Sequence, residues 1–387
     1  MSLKAKNPKE GLIKQYSKDE IPSEPAELPP GFEWCTFDLS DDQVCQEVAD
    51  FLTQSYVESQ TGDFRLLYTP EKLRWSCCSP GYHARYHVAV RNQKNKKLLA
   101  TIVLIPKKAV LLGKNVKVAE VNFLAVHRAL REKRLAQLMI QEATRLTYLY
   151  DSQIGFYTSS RSMPTPFSTS KDYFRLLDPG KALDIRMCPL PPNTTKKQFV
   201  TKNRLPDEKG ITINGSIRRM EKKDITAVLK LWNKQQEKYK VRYKFSQDDL
   251  VHFLLPKQEG LVWTWVIEGT VDGKLQLTDF FSMLKSTQQC LNKEKVGHEH
   301  DACHMAGMFY YALTANELTD CLKRAMWLAK EEMGCDVFTA RDTHGMPAEV
   351  LADLNFRPND GRVHWYLTNY SLGENEVLPG DIGTILV

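Results

Sequence analysis

Four cations, Arg128, Arg131, Lys133 and Arg134, stand directly ahead of a run in which Leu135, Leu138, Met139, Ala143, Leu146 and Tyr150 recur at helical spacing. The first turn of a helix presents unpaired N–H groups and the positive end of the dipole, so it favours an anion, and cations there cost stability unless a polyphosphate shares the junction. The cluster therefore reads either as a phosphate site or as a solvated basic turn. A second group of chemistry-bearing residues lies in GHEHDACH, residues 297–304, where His298, His300, Asp301, Cys303 and His304 have ligand chemistry. It is one cluster without a matching second half, so a solvated loop is the better reading and no metal ligand is assigned. The chain ends in GDIGTILV, whose Ile382, Ile385, Leu386 and Val387 make either an edge strand or a tail that carries its terminal carboxylate indoors.

Elements must position these groups. Residues 118–126 are apolar and β-branched enough for a buried strand, so strand gives way to helix within about ten residues. Before it, residues 1–30 are polar and Pro-rich and are expected to form a mobile arm. Residues 32–39 read as a strand, Ser40 as the cap of a helix with Val44, Val48, Phe51 and Leu52 inward, and a second helix follows Pro70. Residues 86–91 and 98–105 form a hairpin beside the 118–126 strand, and residues 155–160 return as a strand after the long helix.

The same order recurs beyond a polar link at residues 189–209. A strand at 217–220, helices opened by Asp224 and Asp248, strands at 263–268, 275–283 and 305–313, a long helix at 317–333 and a strand at 336–340 repeat the first half element by element. The pattern predicts two duplicated α/β units with mixed sheets. At 387 residues and 42% hydrophobic, the chain can supply cores for both. A net charge of +6 permits an anionic ligand but lacks the dense basic tract of a nucleic-acid binder. No apolar run reaches membrane-spanning length, residues 1–18 carry no signal segment, and the nine scattered cysteines suit reduced thiols, so a cytoplasmic protein is expected.

The wording of several segments adds a resemblance. EVNFLAVHR at residues 120–128 closely resembles a signature of the N-myristoyltransferases, and Arg131, Glu132, Lys133, Arg134, Leu135 and Ala136 resemble the phosphate-binding loop of the wider GNAT superfamily of acyl-CoA-dependent transferases. LPPGFEW at 28–34, Tyr56-Val57-Glu58, SPGY at 79–82, Tyr157-Thr158, TDFFS at 278–282, DVF at 336–338 and Asp360-Gly361 follow in the family's order, covering the chain from about Ile21 to Val387.

The resemblance implies two GNAT-like halves related by pseudo-two-fold symmetry. The first, residues 31–205, would bind acyl-CoA; the second, 206–387, would bind peptide and return its C-terminus to the first. It implies transfer of a myristoyl group from myristoyl-CoA, a co-substrate and not a resident cofactor, to proteins with an N-terminal glycine. The backbone amides of Phe123 and Leu124 would hold the thioester oxygen at a distortion in their strand, and the terminal carboxylate of Val387 would take the proton from the glycine ammonium. Tyr56, Asn122, Thr158, Asp360 and Gly361 would surround the first residues of the peptide; His127 is read as structural. The protein is expected to be a monomer, without nucleic-acid partners and compatible with peripheral ribosome or membrane association.

Departures from the family bear on substrate choice. The Phe-Trp segment that lines the CoA site has no counterpart in residues 1–23, Glu132 introduces a negative charge into the phosphate loop, and residues 355–361 erode the second signature to Asn-Phe-Arg-Pro-Asn-Asp-Gly. Ser59, Gln60 and Thr61 replace an acidic run that attracts basic peptides, and Asp172, Tyr173 and Phe174 replace a Tyr-Trp-His step. Two further functions stay open at this level: a GNAT-type N-acetyltransferase for a small amine, and an acyl-CoA or peptide binder without turnover.

Overall fold

The computed structural model describes residues 9–57, 62–149, 152–257, 260–291 and 300–386. The expectations for Glu58, Ser59, Gln60, Thr61, Tyr150, His298 and Val387 lie outside these residues. In chain order the strands are β1 (Gly11–Leu12), β2 (Phe32–Thr36), β3 (Phe64–Leu66), β4 (His87–Asn92), β5 (Leu98–Leu111), β6 (Lys114–Val126), β7 (Gly155–Ser159) and β8 (Ser168–Leu176). They continue with β9 (Ser216–Arg219), β10 (Val241–Tyr243), β11 (Val262–Val271), β12 (Lys274–Cys290), β13 (Ala302–Ala312), β14 (Val337–Arg341), β15 (Arg357–Thr368) and β16 (Tyr370–Ser371).

One sheet runs through both halves. Its path is β2-β4-β5-β6-β7-β15-β8-β14-β13-β12-β11-β9, with β10 attached to β5 and β3 to β12. Each half is an antiparallel meander ending in a parallel step, β6 with β7 and β13 with β14. At the centre the last strands are exchanged: β15 pairs with β7, and β8 pairs with β14. Neither half closes its sheet alone, so the expected pair of tandem mixed α/β units is observed as two interlocked units.

Helix burial follows the predicted faces. In Asp42–Ser55, Val48, Phe51 and Leu52 are buried, and the cap is Asp41, whose carboxylate accepts from Gln43 and Val44 amides; Ser40 instead donates to Asp38 at 2.7 Å. The Leu135–Leu149 helix buries Leu135, Met139, Ala143 and Leu146 against Ala100, Ile102 and Leu104 of β5. In the second half Leu318–Glu331 buries Cys321, Leu322, Ala325 and Ala329 in the same manner.

The N-terminal arm departs from expectation. Residues 9–30 are docked: Gly11 and Leu12 pair with Ser371 and Tyr370, Tyr16 stacks on Tyr148 at 4.5 Å, and Ile21 is buried. Arg145 on the long helix donates to the carbonyls of Pro22 and Ser23 at 3.1 and 2.9 Å, and Trp34 Nε1 donates to Ala26 O at 2.8 Å. These contacts are spaced singly along a polar segment, so no periodicity announces them, yet together they offset the entropy of ordering it.

Candidate functional site

The decisive local feature is in β6. Thr101 faces Ala125 and Val103 faces Asn122, so Phe123 and Leu124 together oppose Ile102 alone in a β-bulge. Phe123 takes φ +53°, a left-handed conformation that costs a non-glycine residue about 1–2 kcal/mol. The surroundings hold it there. Its ring is buried against Tyr56 and Tyr68 at 5.6 and 5.9 Å, and its carbonyl accepts from Thr101 Oγ1 at 2.9 Å. β6 and β7 pair at Ala119↔Gly155 and Glu120↔Phe156, and their ladder ends there, short of the bulge. A wedge opens there between Asn122 to Leu124 on one side and Tyr157 and Thr158 on the other.

A buried polar group sits at the base of the wedge. Glu120 is fully buried; Tyr243 Oη donates to its Oε2 and Asn122 Nδ2 to its Oε1, both at 2.6 Å. The C-terminal tail arrives at the same place. Gly383 N–H donates to Val241 O at 2.8 Å, His344 N–H to Ile382 O at 2.8 Å, and Ile385 N–H to Tyr310 Oη at 3.1 Å. Ile382 and Thr384 are buried, and Ile385 and Leu386 pack on the largest core cluster. As far as Leu386 the tail is thus led inward, with Ile382 bridged in parallel to Val241.

The basic turn is differentiated. His127 Nδ1 accepts from the Ala129 amide at 3.3 Å, the structural role expected of it. Glu132 and Arg134 have φ +69° and +60°, which coil the chain tightly before the helix begins at Leu135, and Glu132, Lys133, Arg134 and Ala136 are all exposed. Arg131 is engaged otherwise: its Nη2 donates to Ser55 O at 2.7 Å, capping the C-terminal carbonyls of the Asp42–Ser55 helix. Tyr56 follows that helix, and burial raises its hydroxyl pKa while the Phe123 backbone amide opposes the shift. Asp360 and Gly361 lie in an exposed bulge of β15 between Pro358 and Arg362, opposite Asp172. They are two strands from β6, at the rim, whereas Asn122 and Thr158 flank the wedge itself.

The second half has the same frame with its openings filled. Phe281 faces Tyr311 and Met283 faces Met308, so Phe309 and Tyr310 form the matching bulge opposite Ser282. Ser282 Oγ accepts from Tyr310 N at 3.0 Å and donates to Tyr310 O at 2.9 Å, so this bulge amide is already occupied. At the strand-to-helix junction the fully buried Asp279 carboxylate accepts from the amides of Thr314 and Ala315 at 2.6 and 3.0 Å. An internal anion therefore occupies the amides that follow β13 in the second half.

His304 uses Nδ1 on Thr287 Oγ1 at 3.0 Å and its amide on Asp336, and Cys303 is buried. Among the described residues no group of three or more His, Cys, Asp or Glu could hold a metal. Sequence reasoning missed Tyr243, Tyr310 and Asp279 as contributors. Only Asp279 had a signal, as a carboxylate inside the apolar TDFFS strand.

Comparison with known proteins joins this geometry to a family. The model of the N-terminal domain of myristoyl-CoA:protein N-myristoyltransferase matches residues 12–170, and that of its C-terminal domain matches 184–382. The chain belongs to the N-myristoyltransferase family. It is 35% identical over 380 residues to glycylpeptide N-tetradecanoyltransferase of Emericella nidulans, covering 95% of this chain and 75% of that protein. To glycylpeptide N-tetradecanoyltransferase 1 of Arabidopsis thaliana it is 33% identical over 368 residues, covering 95% and 82%. The crystal structure of Saccharomyces cerevisiae N-myristoyltransferase with bound myristoyl-CoA superposes with a TM-score of 0.90 at 28% identity, covering 100% of this chain and 96% of that one. The N-myristoyltransferase fold therefore extends to the exchanged strands and the inward tail.

Proposed function

We propose that this chain transfers a myristoyl group from myristoyl-CoA to the N-terminal glycine amine of proteins, within the wedge between β6 and β7. The observation that carries the reading is the Phe123 bulge, held at φ +53°, in the half whose strand-to-helix turn presents the exposed Lys133 and Arg134 and toward which the tail is led. The thioester carbonyl lies against the Phe123 and Leu124 amides, which face away from the ladder and stabilise the oxyanion as it forms. The Val387 carboxylate takes a proton from the glycine ammonium, the neutral amine attacks the carbonyl carbon, and the tetrahedral intermediate collapses to the amide as its C–S bond breaks and the nitrogen's second proton passes to the departing CoA sulfur, which leaves as the thiol. Asn122 and Thr158 orient the amine; Tyr56 borders the bulge, and Asp360 and Gly361 contact the peptide at the rim. The exposed Lys133 and Arg134 hold CoA phosphates together with the amides of Leu135 and Ala136, while Arg131 fixes the loop from behind. No resident cofactor takes part.

The test follows CoA release and mass change of a glycine-initiated peptide with acetyl-, octanoyl- and myristoyl-CoA. Removing Leu386 and Val387, or appending one glycine, displaces the carboxylate and should lower kcat about a hundredfold or more with acyl-CoA still bound, whereas Val387→Leu should be nearly silent. Acetyl transfer to small amines without myristoyl transfer would reassign the activity. Parental turnover by the extended chain would reject the carboxylate as base.

A further inference from the structure

Glu120 is a carboxylate that its strand does not require. It is fully buried on β6, at the last rung shared with β7, where it pairs with Phe156. A carboxylate taken out of water is costly unless donors surround it, and here Tyr243 Oη donates to one oxygen and Asn122 Nδ2 to the other, both at 2.6 Å. The second half supplies the comparison. Its bulge residues Phe309 and Tyr310 correspond to Phe123 and Leu124, so Met308 stands where the first half has Asn122, and Ala306 where it has Glu120. Ala306 pairs with Phe338 of β14 as Glu120 pairs with Phe156 of β7. The same bulge and the same parallel step thus form with two apolar residues at these positions, and the frame does not demand the polar pair.

What the pair fixes is polarity. A carboxamide has a donor edge and an acceptor edge, and a carboxylate only accepts, so Glu120 takes the Nδ2 edge of Asn122. Residues two apart share one face of a strand, so Oδ1 is turned away from Glu120, along β6 towards the Phe123 bulge. Tyr243, on β10 of the second half, holds the carboxylate from its other side, and β10 is itself paired with β5. A flipped carboxamide would meet an ammonium with its own N–H groups, donor against donor.

We propose that Glu120 is a positioning residue for the acceptor: with Tyr243 behind it, it locks the Asn122 carboxamide with its oxygen towards the glycine amine. The proposal rests on the transfer reading above and deepens it. A carboxylate that only filled the core would affect every ligand alike, so dependence on the amine and on Asn122 separates the two roles.

The experiment uses a peptide beginning with glycine and the same peptide with acetyl in place of that glycine, which lacks only the amine. Their binding is measured on the full chain loaded with a non-reactive thioether analogue of myristoyl-CoA, and kcat/KM of the glycine peptide with myristoyl-CoA itself. The glycine peptide should bind about tenfold or more tighter. Glu120→Met and Asn122→Ala should each bring that ratio to about threefold or less, and the double variant should go no lower, because Glu120 acts through Asn122. Glu120→Gln can still accept from Asn122 in one of its two orientations, so it should keep the ratio within about twofold of the parental value. Equal binding of the two peptides by the parental protein overturns the proposal without reliance on any variant. A ratio that survives in Glu120→Met overturns it too, as does a double variant that falls below both singles. If Glu120→Met fails to bind the analogue, Asn122→Ala decides alone, and a ratio that persists there overturns the proposal. Preference in binding without transfer keeps the positioning role and rejects the transfer reading; transfer without preference does the reverse. Failure of both peptides to bind rejects both.

Discussion

Replacing Gly383 by Ala would test whether the inward tail places a catalytic group. A Cβ at this position would lie 2.6 Å from Tyr239 Cγ and 2.7 Å from Gln236 Oε1. Non-bonded carbons settle at about 3.5–4 Å, so either the ring or the tail must shift by roughly 1 Å. The ring is the firmer partner. Tyr239 is 2% exposed, its hydroxyl donates to His344 O at 2.7 Å, and it accepts from Gln235 Nε2 at 2.9 Å. The tail is held near this point by the Gly383 amide to Val241 O and the His344 amide to Ile382 O, so it yields and carries the chain end with it. A displacement of this size at a general base typically costs about 10²-fold, and overpacking costs about 1–3 kcal/mol of stability.

Gly383→Ala should therefore lower kcat about a hundredfold while the acyl-CoA KM, assigned in the proposal to the basic turn, stays within about threefold. Stopped-time release of CoA gives kcat, and equilibrium binding of the thioether analogue shows that the first half remains folded. Turnover at the parental rate by a folded Gly383→Ala protein would refute the argument, since the tail would then have moved without consequence for the proton.

Three other outcomes follow from the same geometry. Arg134→Ala should raise the acyl-CoA KM about tenfold or more and leave unliganded stability unchanged, whereas Arg131→Ala, which uncaps the helix ending at Ser55, should lower the denaturant midpoint in the absence of CoA by the equivalent of about 1–3 kcal/mol. Asp279→Ala leaves the Thr314 and Ala315 amides unpaired and should cost roughly 3–5 kcal/mol in chemical denaturation, with acyl-CoA affinity unaltered. Burial pushes the His87 and His344 imidazoles from 6.5 down to about 4 and about 3, so below pH 6.5 the unfolded chain binds protons that the fold refuses. Stability is then fully present above pH 6.5 and falls towards pH 4 with a slope of roughly 2–3 kcal/mol per unit from this pair. His344→Asn, which tolerates the φ of +60°, should reduce that slope by about half.

What was legible in the sequence follows from what periodicity encodes. Leu135, Met139 and Ala143 announce a buried helix face because burial repeats along the helix, and the strand-to-helix junction could be placed to within a few residues. The exchange of β8 and β15 left no such trace: a strand shows which face is covered, not which strand lies beside it. Ser168–Leu176 and Arg357–Thr368 pass unnoticed because polar residues and a bulge interrupt their alternation. Arg131 was grouped with its neighbours by charge, and only the tertiary position of Ser55 O separates a helix cap from a phosphate ligand.

The asymmetry of the two halves is the step that periodicity alone could not reach. Both have a bulge and a strand-to-helix junction, and a shared frame by itself predicts two acyl-CoA sites. In the second half Ser282 Oγ is bonded to the Tyr310 amide and Asp279 to the Thr314 and Ala315 amides. A ligand carbonyl or phosphate would have to displace groups that cannot leave, exchanging satisfied hydrogen bonds for new ones with no net gain. The first half has Ile102 where the second has Ser282, so its bulge is not closed from β5, and the Phe123 amide meets the Tyr56 hydroxyl instead. The same Tyr310 whose amide is closed off accepts from the Ile385 amide through its hydroxyl, so the bulge of the second half anchors the tail. The second half thus supplies contacts that hold the tail, and the proposed transfer site draws on both halves.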